Sequence, residues 1–324
     1  MTTQTLFRNR AYTDSDVQAV CDLLNACDAV DKMDDNYSVD NLQTEFSDPD
    51  LDKARDLRLW EDESGNLVGF GQLWLRRSEE DEMMDGYIYL RVHPDYRDNG
   101  LEDEIVAWAF ERAREAGREK GLPARVRSGT RDYDAYGRAI WERHGMSVAR
   151  YFFTMTRDLN QPIAEPQLPE GFTLRHSTAE LEDVQRWIEC FNLSFIDHWN
   201  HHPATVESHA HWLTSPNYNA ERDLIAVAPD GTVTSFCFCW IDNADNERNN
   251  RLEGWIDILG TRRGYRKMGL GKAMLLAGLH RLKHDGMSVA KLGVDADNPT
   301  GALQLYEATG FTRLHTQVSY RMEL

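Results

Sequence analysis

The 324 residues carry 54 acids against 36 lysines and arginines, a formal net charge of −18. That field opposes nucleic acid and anionic membrane surfaces and favours cationic partners. With 41% hydrophobic and 28% charged residues the chain can fold as a globular protein, and its length suits two domains of about 150 residues better than one core. No apolar run approaches the ~18 residues that span a membrane, and MTTQTLFRNR lacks the apolar stretch of a signal peptide. A cytoplasmic protein is the expectation. Five cysteines, with no C-x-x-C pair, argue against a disulfide framework or a cysteine zinc site. Cys237 and Cys239, in the apolar run SFCFCW, read as core filler.

In chain order, LRLWEDESGNLVGFGQLWLRR reads as strand, turn, strand, and MMDGYIYLRV as the next strand. GLEDEIVAWAFERAREAG is a helix, ARVRSGT a short strand, YDAYGRAIWERHGM a helix with a glycine stop, and YFFTMTRDL a last strand. Three prolines in LNQPIAEPQLPEG mark a linker. The order then repeats. FTLRH is a strand, and helical periodicity runs through ELEDVQRWIECFNLSF. RDLIAVAPDGTVTSFCFCWID is strand, D-G turn and strand; LEGWIDILG is another strand. In GLGKAMLLAGLHRLKHDG, Leu275, Leu279 and Leu282 stand at i, i+4, i+7. SVAKLGV is a strand. In DADNPTGALQLYEATGF, Asn298 can cap a helix with Pro299 at its first position. RLHTQVSYRME closes the chain as a strand. Arg97 and Arg266 correspond at an offset of 169, and WERHGM and YEATGF at 165. Two copies of one unit account for this. The fold class is α/β, a mixed sheet flanked by helices, in two tandem domains. The expected boundaries are 1–158, a linker 159–170, and 171–324.

The stretch RGYRKMGLGK follows a strand and opens a helix. Residues 262–272 hold five cations and no acid. A helix N-terminus offers unpaired N–H groups to phosphate oxygens, glycines let the backbone approach, and flanking cations hold outer phosphates. Other phosphate loops fit less well. A dinucleotide-binding G-x-G-x-x-G would need Gly or Ala at Met274, and a P-loop would need Gly at Arg266 and Ser or Thr at Ala273.

Arg266-x-x-Gly269-x-Gly271, together with the later Asn298…Tyr306…Gly310-Phe311, resembles the two signatures of the GNAT superfamily of N-acetyltransferases. The resemblance is strong over 170–324 and weak over 5–158, and the tandem arrangement is similar to that of the mycothiol synthases. It implies acetyl-CoA as acyl donor in a cleft where two parallel strands splay in the C-terminal half. Leu259, Gly260 and Thr261 would meet the acyl carbonyl and pantetheine arm. Arg266, Lys267, Met268, Gly269, Leu270, Gly271 and Lys272 would hold the pyrophosphate, Asn298 would touch the pantetheine or order its loop, and Tyr306 would be the acid near the sulfur. The implied reaction is direct attack by a primary amine of a small molecule or a peptide N-terminus. The alternative is a non-catalytic acyl-CoA sensor. The partner expected is a small-molecule amine, with no nucleic acid or membrane, on a monomer or homodimer.

Freeing an amine of pKa ~10.4 at pH 7 costs roughly 4–5 kcal/mol, so a general base is useful. The family often places a glutamate eleven residues before the loop, where this chain has Trp255. Asp257 and Glu253 flank it, and strand alternation turns 253, 255 and 257 to one face. Asp257 is favoured slightly over Glu253.

The segment DHWNHHPATVESHAH holds His198, His201, His202, His209 and His211. A metal site, an acceptor-pocket loop and ordinary surface histidines are all open readings, but Pro203 breaks the segment and no H-E-x-x-H is present. No metal is expected. In the first half, HPDYRDNGLED puts Glu102 where the loop has its second glycine and Asp98 where it has a cation, while Trp141 replaces Tyr306. That half is expected to keep the fold without the usual donor site.

Overall fold

A computed structural model describes residues 7–33, 35, 37–78, 81–196, 203–215, 217–298 and 301–324. Its packing divides the chain into two units, 1–151 with 317–324, and 152–316.

Unit 1 runs β1 (Arg8–Ala11), α1 (Val17–Asp31), α2 (Val39–Phe46), α3 (Lys53–Asp56), β2 (Leu57–Glu61), β3 (Leu67–Ser78), β4 (Met83–Val92), α4 (Leu101–Lys120), β5 (Ala124–Arg131) and α5 (Ala135–Arg143). Then β6 (Ser147–Asp158) crosses into unit 2. There follow β7 (Thr173–His176), α6 (Leu181–Phe195), α7 (Val206–Leu213), β8 (Asp223–Val227), β9 (Val233–Trp240), α8 (Asn243–Arg248), β10 (Glu253–Thr261), α9 (Leu270–His284), β11 (Val289–Asp295), α10 (Ala302–Ala308) and β12 (Thr312–Glu323).

Unit 1 has the strand order β1-β2-β3-β4-β5-β12, and unit 2 the order β6-β11-β10-β9-β8-β7. The last strand of each half therefore belongs to the other half's unit. Gln317–Glu323 pair antiparallel with β5, and Phe152–Asp158 pair antiparallel with β11. This corrects the expected boundaries at 158 and 171. Strand alternation reports which faces are buried, not which neighbour a strand joins. The proline segment is irregular but not a free tether. Ile163 and Leu168 pack on the second core, and the Arg157 guanidinium donates to the Pro162 carbonyl at 2.8 Å.

The cores follow the expected periodicity. Leu275, Leu279 and Leu282 are fully buried and face Cys237, Cys239, Ile256 and Leu292. On the other face of the same sheet, α6 packs Val184, Trp187 and Ile188 on Phe236 and Ile258. All five cysteines are free and buried. Among the described residues, no helix is long and apolar enough to cross a membrane.

Candidate functional site

In unit 2 the parallel strands β10 and β11 pair from Glu253↔Val289 to Trp255↔Lys291 and no further. Each continues on its outer side: β10 stays paired with β9 to Thr261, and β11 with β6 to Asp295. The two strands part at that point, as the sequence resemblance implies.

A β-bulge sits at the same place. Ile256 pairs with Cys239 and Ile258 with Phe238, so Asp257 is the residue without a partner. A bulge re-aims the side chains that follow it. Before it, Gly254 and Ile256 face α9: a Cβ on Gly254 would meet Leu282, and Ile256 lies against Gly278. After it, Ile258 packs with the α6 cluster and Leu259 with the α9 cluster. The alternation changes phase at Asp257.

Asp257 is exposed, yet protein crowds it, and the resulting desolvation pushes its pKa up to about 6. Among the described residues it has no hydrogen-bond or ion-pair partner, so nothing holds its charge except solvent. Glu253 differs. Its carboxylate lies 2.5 Å from the buried Lys291 ammonium and 3.8 Å from Arg251, and Asn246 donates to its carbonyl and accepts from its N–H. The Glu253 carboxylate is committed to a buried lysine, whereas Asp257 has no partner among the described residues, so Asp257 is the freer of the two candidates.

The loop after β10 reaches α9 through Lys267 at φ 66° and Gly269 at φ 86°, the latter at the helix N-cap. Backbone N–H groups from Lys267 to Lys272 have no hydrogen-bond partner among the described residues. A Cβ at Gly264 or Gly269 would meet no atom within 4 Å, so the loop surface is open there. Leu270 is buried, whereas Lys267, Met268 and Lys272 are exposed. Of the five cations, Arg263 donates its backbone N–H to the Leu193 carbonyl at 3.4 Å, and the other four divide. Arg262 pairs with Glu189 at 2.9 Å. Arg266 turns inward, donating to the Thr261 carbonyl at 3.3 Å and the Ser194 carbonyl at 2.8 Å. Its side chain ties loop to strand and helix. Lys267 and Lys272 remain, with no ion pair among the described residues.

Thr261 and Gly260 are braced by Ser235, whose hydroxyl donates to the Gly260 carbonyl at 2.6 Å and lies 2.9 Å from the Thr261 hydroxyl. Tyr306 is buried on α10, edge-on to Phe311. Its hydroxyl has no partner among the described residues, and desolvation raises its pKa above the ordinary tyrosine value. Asn298 does not cap α10: Gly301 does, at φ 78°, and the helix begins at Ala302. Asn298 instead donates its backbone N–H to the Asp295 carbonyl at 3.1 Å, in the turn leaving β11. Pro299 lies outside the described residues.

His198, His201 and His202 also lie outside the described residues. His209 is core, between Trp187 and Trp212 at ring separations of 4.6 and 5.2 Å, and burial lowers its pKa. That removes it from an acceptor-pocket loop. Sequence reasoning missed the bulge at Asp257 and the Ser235 brace. The first shows only when strand and helix offsets between the halves are compared, and the second carries no sequence signal.

The model of the Acetyltransferase (GNAT) family matches residues 17–146 and 184–311. The chain belongs to the GNAT acetyltransferases. It is an N-acetyltransferase that draws its acyl group from an acyl-CoA, and the sensor alternative finds no support. Mycothiol acetyltransferase of Thermobispora bispora is 30% identical over 72% of this chain and 74% of its own. The Streptomyces bingchenggensis protein of the same name is 29% identical over 83% and 82%. Among solved structures, a GCN5-related N-acetyltransferase from Sphaerobacter thermophilus superposes with a TM-score of 0.75 at 26% identity, over 98% of this chain and 95% of that one. A tandem GNAT protein from the clavulanic acid biosynthesis pathway gives a TM-score of 0.74 at 17% identity over 98% of each, a likeness of fold.

Proposed function

We propose that unit 2 transfers an acetyl group from acetyl-CoA to the primary amine of a small molecule, with Asp257 as general base. The observation that carries this is the partnerless carboxylate at the bulge, where the strands part, with its pKa pushed up to about 6. Such a group is ionised at neutral pH and holds a proton more firmly than an ordinary aspartate of pKa ~3.9. It can take the ammonium proton directly or through one water.

The donor supplies a thioester carbonyl as electrophile and a thiolate of pKa ~8.5 as leaving group. The free N–H groups of Lys267–Lys272, with the Lys267 and Lys272 ammonium groups, fit its pyrophosphate. Leu259, Gly260 and Thr261 offer the parted strand edge to the pantetheine arm, and Asn298 lies at the turn beyond the facing strand. Tyr306 stays protonated across the working range. Proton transfer from a tyrosine above pKa 10 to a thiolate near 8.5 runs uphill, so Tyr306 stabilises the leaving sulfur by donating a hydrogen bond. The relatives' name makes a mycothiol-pathway amine the first acceptor to test.

The test is thiol release from acetyl-CoA against a panel of small amines, followed by the pH profile on the best one. Turnover on a small amine, falling below pH ~6, is expected. Turnover confined to peptide N-termini would overturn the acceptor class, and a profile flat through pH 6 the base.

A further inference from the structure

The first-half loop has the same backbone as the donor loop. Asp98 at φ 60° matches Lys267 at φ 66°, and Gly100 matches Gly269, both at φ 86° and both at a helix N-cap. Even the arginine keeps its job: Arg97 donates to the Val92 carbonyl at 3.3 Å, as Arg266 does to Thr261, and its guanidinium grips Asp31 with two bonds of 2.7 Å. The difference is at Glu102. It stands in the first turn of α4, where α9 has Gly271, and it is fully buried. Its Oε1 accepts the Asp98 N–H at 3.1 Å and the Tyr136 hydroxyl at 2.6 Å. Its Oε2 is buried with no hydrogen-bond partner, and the nearest cation, Arg143, is 3.9 Å away. A buried carboxylate oxygen without a donor is costly, and the loop offers this carboxylate one N–H, that of Asp98, at the N-terminal end of α4.

We propose that unit 1 retains a phosphate-binding loop whose anion is its own: the Glu102 carboxylate takes the place a phosphate would occupy, and keeps that loop closed to acyl-CoA. The reading rests on the matching loop of unit 2 being the donor's pyrophosphate site. The chain then takes one acyl-CoA, and a phosphate or pyrophosphate is the class of ligand unit 1 would accept once Glu102 is gone. The Asp98 N–H is already used by Glu102.

Calorimetry on the full chain tests this. The wild type is expected to bind one CoA, Gly271→Glu none while keeping its circular dichroism, and Glu102→Gly to gain one site for inorganic pyrophosphate. Two CoA per wild-type chain, or one CoA still bound by the Gly271→Glu variant, would overturn the closed loop. A folded Glu102→Gly variant without added pyrophosphate binding would overturn it too. Should that variant fail to fold, the wild-type and Gly271→Glu stoichiometries decide. A wild type that binds no CoA would instead sink the unit 2 donor site, and the pyrophosphate gain would still report on Glu102.

Discussion

Unit 1 and unit 2 part their central strands in the same way, and they differ in what lies beyond the parting. In unit 1, β4 and β5 pair from Met84↔Ala124 to Tyr87↔Arg127 and then separate. There the protein's own side chains cap the strand's carbonyls: Ser128 donates to Ile88 at 2.9 Å, Arg91 to Leu90 at 2.9 Å, and the Cys27 thiol to Val92 at 3.2 Å. In unit 2, among the described residues, no side chain donates to the matching carbonyls of Asp257 or Leu259, while the third, Thr261, accepts from Arg266 as Val92 accepts from Arg97. The strands themselves also differ. β4 pairs with β3 from Gly69↔Val92 to Ser78↔Met83 without a register shift, whereas β10 bulges. Gly86 and Gly254 lie 168 residues apart, but the helix residues they face, Ala113 and Leu282, lie 169 apart. Leu90 and Leu259, beyond the bulge, are again 169 apart. The second half has one residue more, at the bulge, and that residue is Asp257. A strand with its parting capped internally and no bulge is a structural copy; the copy with an extra carboxylate and two uncapped carbonyls, those of Asp257 and Leu259, can do chemistry.

Removing that carboxylate breaks the comparison most sharply. Asp257→Asn is expected to lower kcat by about 10²–10³ while leaving the KM for acetyl-CoA within about twofold, the span of a lost general base. Stability should move the other way. The folded chain binds the Asp257 proton more tightly than an unfolded chain with pKa ~3.9, so stability falls as pH rises from ~4 to ~6 and stays lower above that. The asparagine removes the cost. Its Tm at pH 8 should equal or exceed that of the wild type, and the gap should close at pH 4. A drop in Tm at pH 8 would mean that Asp257 is a structural group.

Tyr306 is the next distinction, because unit 1 has the buried Trp141 at its place. Tyr306→Phe is expected to lower kcat about 10–100-fold with an unchanged acid limb near pH 6. The deficit should shrink with a donor whose leaving thiol has a lower pKa, since a better leaving group needs the hydrogen bond less. An equal deficit with both donors would make Tyr306 a packing residue.

The loop, the helix behind it and the two-unit repeat were legible in the sequence because their signals are local. Glycine and cation spacing marks the turn, and Leu275, Leu279 and Leu282 mark a helix face. The strand exchange was not, since β6 and β12 carry alternation and no label for a partner. Spacing also could not tell a free cation from a satisfied one. Arg266 sits among lysines in sequence and bonds carbonyls in the fold. Glu253 stood only slightly behind Asp257 as a base until register brought Lys291 beside it. Asn298 before Pro299 is a fair helix start, but Gly301 with its positive φ moved the cap downstream.

Arg266 and Arg97 share the inward role, and this predicts a loss of stability rather than a direct loss of phosphate binding. Arg266→Met removes two charge-assisted bonds to carbonyls from a half-buried guanidinium. It should cost about 1–2 kcal/mol in denaturant unfolding, with the KM for acetyl-CoA rising less than fivefold. A larger rise at unchanged stability would return Arg266 to the pyrophosphate.

Lys267 gives the smallest effect and the finest test of what distinguishes the two loops. Both halves put a residue with a side chain in the left-handed region here, at a cost of about 1–2 kcal/mol relative to glycine. Aspartate, at position 98, tolerates it better than lysine does, so the lysine is held there against local preference. Lys267→Gly relieves the strain and removes an exposed ammonium while leaving the backbone N–H in place. Stability should rise by about 1 kcal/mol. The KM for acetyl-CoA should rise about three- to tenfold at low salt, with less difference at 0.5 M, where exposed charges are screened within a few ångströms. A variant equal to the wild type in KM at low salt would leave the phosphate to the backbone and Lys272, and Lys267 would then be strained without a ligand to account for it.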